Sequence, residues 1–186
     1  MDRPIRKDIR LDNYDYSRNG AYFVTICTQN KMCIFWDNND KYRPISSNIE
    51  ATEIQNVGAA FRRPQNDRKI HLSEYGKIVK NELRKIPLIY PDIVFIPKFV
   101  IMPNHVHLII VINNNDVNNG RRNAAPTISR IMNQFKGIVS RQSGFSVWQR
   151  SFYDRVLRNE HEYRDAWQYI ENNPINWEND ELFCKE

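Results

Sequence analysis

The clearest ordered pattern of apolar positions lies between residues 73 and 112. After Ser73, apolar side chains recur at Tyr75, Ile78, Val79, Leu83 and Ile86, the spacing that gives a helix one apolar stripe. Ser73 supplies the N-cap and Pro87 the stop, since proline has no N–H for the helical ladder. Residues 93–112 are mostly apolar but interrupted at Met102-Pro103-Asn104-His105. Pro and Asn favour the two central positions of a turn, so the segment reads as a hairpin of strands 93–101 and 105–112. Upstream, residues 21–28 are β-branched and aromatic and read as a buried strand. Downstream, Ile128, Ile131, Met132, Phe135, Ile138 and Val139 mark an amphipathic helix over 127–141. Residues 152–157 suit a short strand. Asn159 with Glu162 resembles a capping box that opens a last helix to about Asn172, ended by Pro174.

Between these elements the pattern fades. Residues 1–20 are polar and look like an arm, and the Asn-rich run 113–120 is a loop. Residues 29–71 read as an insertion with short elements inside a single domain spanning 1–186. The order strand, insertion, helix, strand, strand, helix, strand, helix describes an α+β, ferredoxin-like (RRM-like) antiparallel sheet with helices on one face and an additional C-terminal helix. The other face is then free to receive a ligand.

Composition narrows the function. The 186 residues suit one domain and hold no apolar run long enough for a transmembrane helix or a secretory signal. Only 6 Gly and 9 Pro exclude a collagen-like chain. The 3 Cys (Cys27, Cys33, Cys184) are odd in number and lack CxxC spacing, so a disulfide framework or thiolate zinc site is not expected and a cytoplasmic location fits. A net charge of +5 with 12% aromatic residues is compatible with nucleic acid, because cations neutralise phosphates and rings stack on bases.

His105-Val106-His107 carries the sharpest chemistry. On a strand, side chains alternate, so both imidazoles share the open face while Val106 enters the core. Two such imidazoles can hold one divalent metal. On the last helix, Tyr163, Ala166, Trp167 and Ile170 form the apolar stripe, and Tyr169 lies at its flank. Asn173 stands one turn on, in the same column, and no other tyrosine of the chain has an amide or carboxylate four residues ahead. His105, His107 and the Asn173 carboxamide would leave open metal positions for phosphate oxygens, with the Tyr169 phenol one turn away. A packing role for Tyr169 and a helix-end cap by Asn173 account for the same spacing. Pro174 disfavours helical dihedrals at Asn173.

Met102-Pro103-Asn104-His105-Val106-His107 resembles the signature of the single-tyrosine HUH transposases. The block Val147-Trp148-Gln149-Arg150-Ser151-Phe152-Tyr153-Asp154-Arg155-Val156-Leu157-Arg158-Asn159-Glu160 is similar to their C-terminal block, continued by Tyr163-Arg164, Tyr169-Ile170, Asn172-Asn173-Pro174 and Trp177. The opening strand Tyr22-Phe23-Val24-Thr25-Ile26 fits as well. Over roughly residues 16–178 the combination most resembles the REP-associated tyrosine transposases. The resemblance implies a ferredoxin-like core and a divalent ion, Mg²⁺ or Mn²⁺, on His105 and His107 with Asn173 as third ligand. It implies Tyr169 as the nucleophile that cleaves single-stranded DNA beside hairpins through a 5′-phosphotyrosine, in a dimer or a monomer.

Lys136, Arg141, Trp148, Arg150, Arg155 and Arg158 are candidate DNA contacts, the cations for phosphate and Trp148 for stacking on a base. Three other readings compete. A relative that holds hairpin DNA without cutting it would need no complete active site. An RNA-binding RRM would carry the RNP1 pattern, which strand 93–101 does not match. A zinc hydrolase would need a third His, Cys or acid beside the two histidines.

Overall fold

The computed structural model describes residues 19–37, 70–113 and 126–183. Its elements follow the order β1 (Gly20–Cys27), α1 (Glu74–Ile89), β2 (Val94–Ile101), β3 (His105–Ile112), α2 (Ile128–Ser143), β4 (Tyr153–Leu157) and α3 (Glu160–Asn172). The strands form one antiparallel sheet in the order β2-β3-β1-β4. This is the expected ferredoxin-like α+β arrangement. The arm over 1–18, most of the 113–120 loop, Cys184 and positions 38–69 of the proposed insertion lie outside the described residues.

The period-2 alternation of β1 and β3 sorts the side chains by face. Tyr22, Val24, Ile26, Val106, Leu108, Ile110 and Ile112 enter the main core against Val79, Leu83 and Ile86 of α1 and Ile131, Met132, Phe135 and Val139 of α2. Phe23 and Ile109 point the other way, where α3 lays Ala166 and Ile170 on them, flanked by Tyr163 and Trp167. The second face is therefore half covered by the last helix rather than open, because that helix needs somewhere to bury its own stripe.

Local details depart from or add to the expectations. Pro87 does not end α1 but sits in its last turn, which closes with the Tyr90 N–H donating to the Ile86 carbonyl at 3.2 Å. Pro97 sits inside β2, which is tolerable because β2 is an edge strand with a register shift between Phe95 and Lys98. Residues 29–37 belong to the core as well as to any insertion: Phe35 is fully buried and the Trp36 indole donates to the Ile101 carbonyl at 2.7 Å. Cys27 is a free thiol, whereas Cys33 is disulfide-bonded, against the expectation from the scattered cysteines. Spacing along a chain does not tell which thiols a fold brings together.

Candidate active site

The turn before β3 is built from its own sequence. The Met102 N–H donates to the His105 carbonyl at 2.8 Å, closing the hairpin. Asn104 is buried, and its carbonyl accepts from the Thr28 N–H and hydroxyl. Its side chain bonds His105 Nδ1 at 2.8 Å through Oδ1 and donates from Nδ2 to the Leu182 carbonyl at 2.8 Å. One strand across, Thr25 pairs with His107 in the sheet register and its hydroxyl bonds His107 Nδ1 at 2.8 Å. Each imidazole thus has one nitrogen fixed by a neighbour, the arrangement that orients a metal-ligating histidine.

The opposite nitrogens are left over. His105 Nε2, His107 Nε2 and Asn173 Oδ1 are buried and have no hydrogen-bond partner among the described residues. Burial holds both imidazoles neutral. It pushes His105 down from 6.5 to about 4, opposed in part by Asp180, and holds His107 well below its usual value, with repulsion from His105 adding to the effect. The ring centroids are 4.4 Å apart. His105 is not on an open face: it is fully buried, with the Trp177 ring 5.8 Å away.

The terminal helix brings the rest. Asn159 caps α3 by accepting from the Glu162 N–H at 2.9 Å, and the Glu162 carboxylate accepts from the Arg158 N–H at 3.1 Å. Asn173 takes helical dihedrals (φ −56°, ψ −42°) despite Pro174, since its N–H still donates to the Tyr169 carbonyl at 2.9 Å. That keeps Tyr169 and Asn173 in one column. The Tyr169 ring meets His107 edge-on with centroids 5.1 Å apart and Phe23 at 5.8 Å, and the residue remains 48% exposed.

Asp180 completes the constellation and was not among the candidates. It lies beyond Pro174, outside any periodic segment, and no spacing signal in the sequence points to it. Its Oδ1 accepts from the Leu182 N–H, and its Oδ2 accepts from Asn173 Nδ2 at 2.7 Å and faces the Tyr169 hydroxyl at 3.5 Å. His105 Nε2 is 4.0 Å from Oδ2. One ligand atom each from His105, His107 and Asp180 lies within 4.8 Å of the others. The acid whose absence argued against a zinc set is therefore present, brought there by the chain after α3. Two imidazole nitrogens, a carboxamide oxygen and a carboxylate are a donor set that fits a divalent cation. The Tyr169 phenol is pushed up to about 12, first by burial and then by the negative charges of Asp180 and Glu181.

The remaining candidates separate by location. Arg155 lines a cleft of about 850 Å³ that also holds His107, Tyr169 and Asp180. Arg150 and Arg158 are exposed at either end of β4. Lys136 Nζ donates to the carbonyls of Gln149 and Arg150 at 2.6 and 3.0 Å, so it braces that loop. Arg141 lines a groove between α1 and α2, on the far side of the sheet from the histidines. Trp148 is 5% exposed and packed between Phe35 and Phe135, which leaves no ring face for a base.

No family model matches the chain. An uncharacterized protein of Haemophilus influenzae (strain ATCC 51907 / DSM 11121 / KW20 / Rd) is 33% identical over 195 residues, covering 96% of this chain and 93% of that one. A REP-associated tyrosine transposase solved bound to a REP hairpin matches with a TM-score of 0.56 at 16% identity, over 90% of this chain and 74% of that one. A putative transposase from Deinococcus radiodurans R1 matches with a TM-score of 0.44 at 17% identity, over 88% of this chain and 95% of that one. The chain belongs to the same family as the Haemophilus influenzae protein and has the fold of the REP-associated tyrosine transposase.

Proposed function

We propose that the chain is a tyrosine DNA transposase that cleaves single-stranded DNA beside a hairpin and rejoins strands. The observation that carries the reading is a phenol hydroxyl 3.5 Å from the carboxylate that also approaches a buried, unsatisfied imidazole pair. A merely packed tyrosine gives no reason for three buried ligand atoms without partners, each of which costs stability unless something binds there.

His105, His107, Asn173 and Asp180 would hold the cation, and its oxygen donors suit Mg²⁺ or Mn²⁺. When bound, such an ion polarises the scissile phosphate and offsets the local negative charge. The work of the protein's own groups follows from their positions. Tyr169 is protonated at neutral pH, so its proton must leave as the phenol oxygen attacks phosphorus. Asp180 Oδ2 is the acceptor the hydroxyl faces. The new bond joins the Tyr169 oxygen to the 5′-phosphate, the P–O3′ bond breaks, and the departing 3′ oxygen takes a proton. Attack by a 3′-OH on the phosphotyrosine reverses the chemistry and rejoins strands. Phe23 and His107 fix the phenol ring for this, and Asn104 and Thr25 fix the imidazoles.

Incubating the protein with stem-loop DNA and Mn²⁺ or Mg²⁺ tests the reading. A covalent protein–DNA band on a denaturing gel is expected with the native chain and none with Tyr169→Phe. A band that survives Tyr169→Phe, or none with any divalent ion, would overturn it; stable hairpin binding without a band would mark a protein that only holds DNA.

A further inference from the structure

The cleft beside Tyr169 extends across the sheet to β4, and its far wall is an aromatic residue that the chemistry above does not use. In the register, His107 pairs with Thr25 and Thr25 pairs with Tyr153, so the three residues form one row across β3, β1 and β4. All three line the same cleft. Strand spacing puts the Tyr153 backbone roughly 10 Å from that of His107, two strands across the cleft. Tyr153 is 43% exposed, while Asp154, Val156 and Leu157 of the same strand are buried, and β4 is an edge strand with no further strand beyond it among the described residues. Two residues along, Arg155 projects to the same face and makes no ion pair among the described residues. Asp165, Asp180 and Glu181 also line the cleft and repel phosphate, which leaves Arg155, the one Lys or Arg in the lining, to meet a backbone phosphate.

We infer that this end of the cleft is a nucleotide subsite, in which an unpaired base next to the cleaved phosphate stacks on Tyr153 and its phosphate meets Arg155. The inference rests on the reading of the site as a DNA-cleaving centre and adds the position and chemistry of the neighbouring nucleotide. Every base has a π-face, so stacking there fixes the strand's path without demanding a sequence.

Binding tests it, measured by fluorescence anisotropy on a DNA stem-loop with single-stranded thymidine flanks, each flank position replaced in turn by an abasic site. The full chain carrying Tyr169→Phe is the parent, so cleavage plays no part. Tyr153→Ala is expected to weaken binding about tenfold, within the span of base–aromatic stacking, and Tyr153→Phe to bind as the parent does. At one flank position an abasic site should bring the parent and Tyr153→Ala to equal affinity. Arg155→Ala should lower the salt dependence of binding by about one ion. Abasic sites that weaken both proteins alike at every position, or Tyr153→Ala binding as tightly as the parent, would overturn the subsite. Adduct formation is followed separately with Tyr169 intact. An adduct without the Tyr153 coupling overturns the subsite alone. Coupling without an adduct upholds the subsite and defeats the cleavage reading. No DNA binding by the parent overturns both.

Discussion

The two imidazoles are held by Asn104 and Thr25 through one nitrogen each, and the other nitrogen of each is buried with no hydrogen-bond partner among the described residues. A divalent ion that satisfies them binds the folded chain and not the unfolded one, so it stabilises by mass action. At a free concentration of 100 times the dissociation constant the gain is about 2.7 kcal/mol, or roughly 5–10 °C in melting temperature for a chain of this size. Mn²⁺ should therefore raise the melting temperature of the native protein and leave that of His107→Ala unmoved, a calorimetric comparison that needs no DNA. Equal shifts in both would place the ion elsewhere. The histidine pair was legible from the alternation of a strand, and the Tyr169–Asn173 column from the rise of a helix. Asp180 and Thr25 were not legible, because they act from other elements through contacts that only the folded chain creates, and Asn104, next to His105 in sequence, read only as a turn residue. Trp148 illustrates the converse: an aromatic in a basic segment suits a base, yet the core between Phe35 and Phe135 had the stronger claim on it.

Helix α1 depends on contacts that its apolar stripe does not announce. A Cβ at Gly76 would stand 2.2 Å from the Phe35 carbonyl oxygen. That oxygen is held in place by accepting from the Ser73 N–H at 2.9 Å. Alanine brings about 1 kcal/mol of helix propensity, and forced overpacking costs about 1–3 kcal/mol, so the clash decides. Gly76→Ala should lower the urea midpoint; an unchanged or raised midpoint would show that the segment around Phe35 yields freely. Glu82, buried, accepts from Lys85 Nζ at 2.6 Å within α1 and from Gln142 Nε2 at 3.0 Å, the bond that ties α1 to α2. Burial alone would raise its carboxyl, but the bonds from Lys85 and Gln142 and the Lys85 charge outweigh it and hold it below 4.5. A depressed folded value means the stabilisation is complete above 4.5 and is lost as pH falls through the folded value. Glu82→Gln should cost about 1 kcal/mol at pH 7, with Lys85 half exposed to solvent, and next to nothing once the native carboxyl is protonated. Urea titrations at the two pH values check this, and an equal cost at both would show that charge plays no part.

At the scale of the molecule, the topology explains why these distant segments meet. The β2-β3-β1-β4 order places the histidine strand in the interior of the sheet, α1 and α2 seal one face, and α3 descends on the other with its tyrosine column beside the imidazoles. That order was readable from the succession of elements, since two strand–helix–strand halves around a hairpin leave few alternatives. The placement of α3 and of the segment after it was not, because Pro174 ends the periodicity that a sequence reading follows. Trp177 then closes over His105, and Asp180 reaches the cation site from that same segment. Cleavage and rejoining therefore both turn on a single phenol. Digesting the covalent DNA complex formed in Mn²⁺ and sequencing the modified peptide by mass spectrometry tests it most directly. The account predicts a nucleotide phosphate on Tyr169, within the peptide that contains Asn173. The same mass on another tyrosine, or on no tyrosine at all, would contradict it.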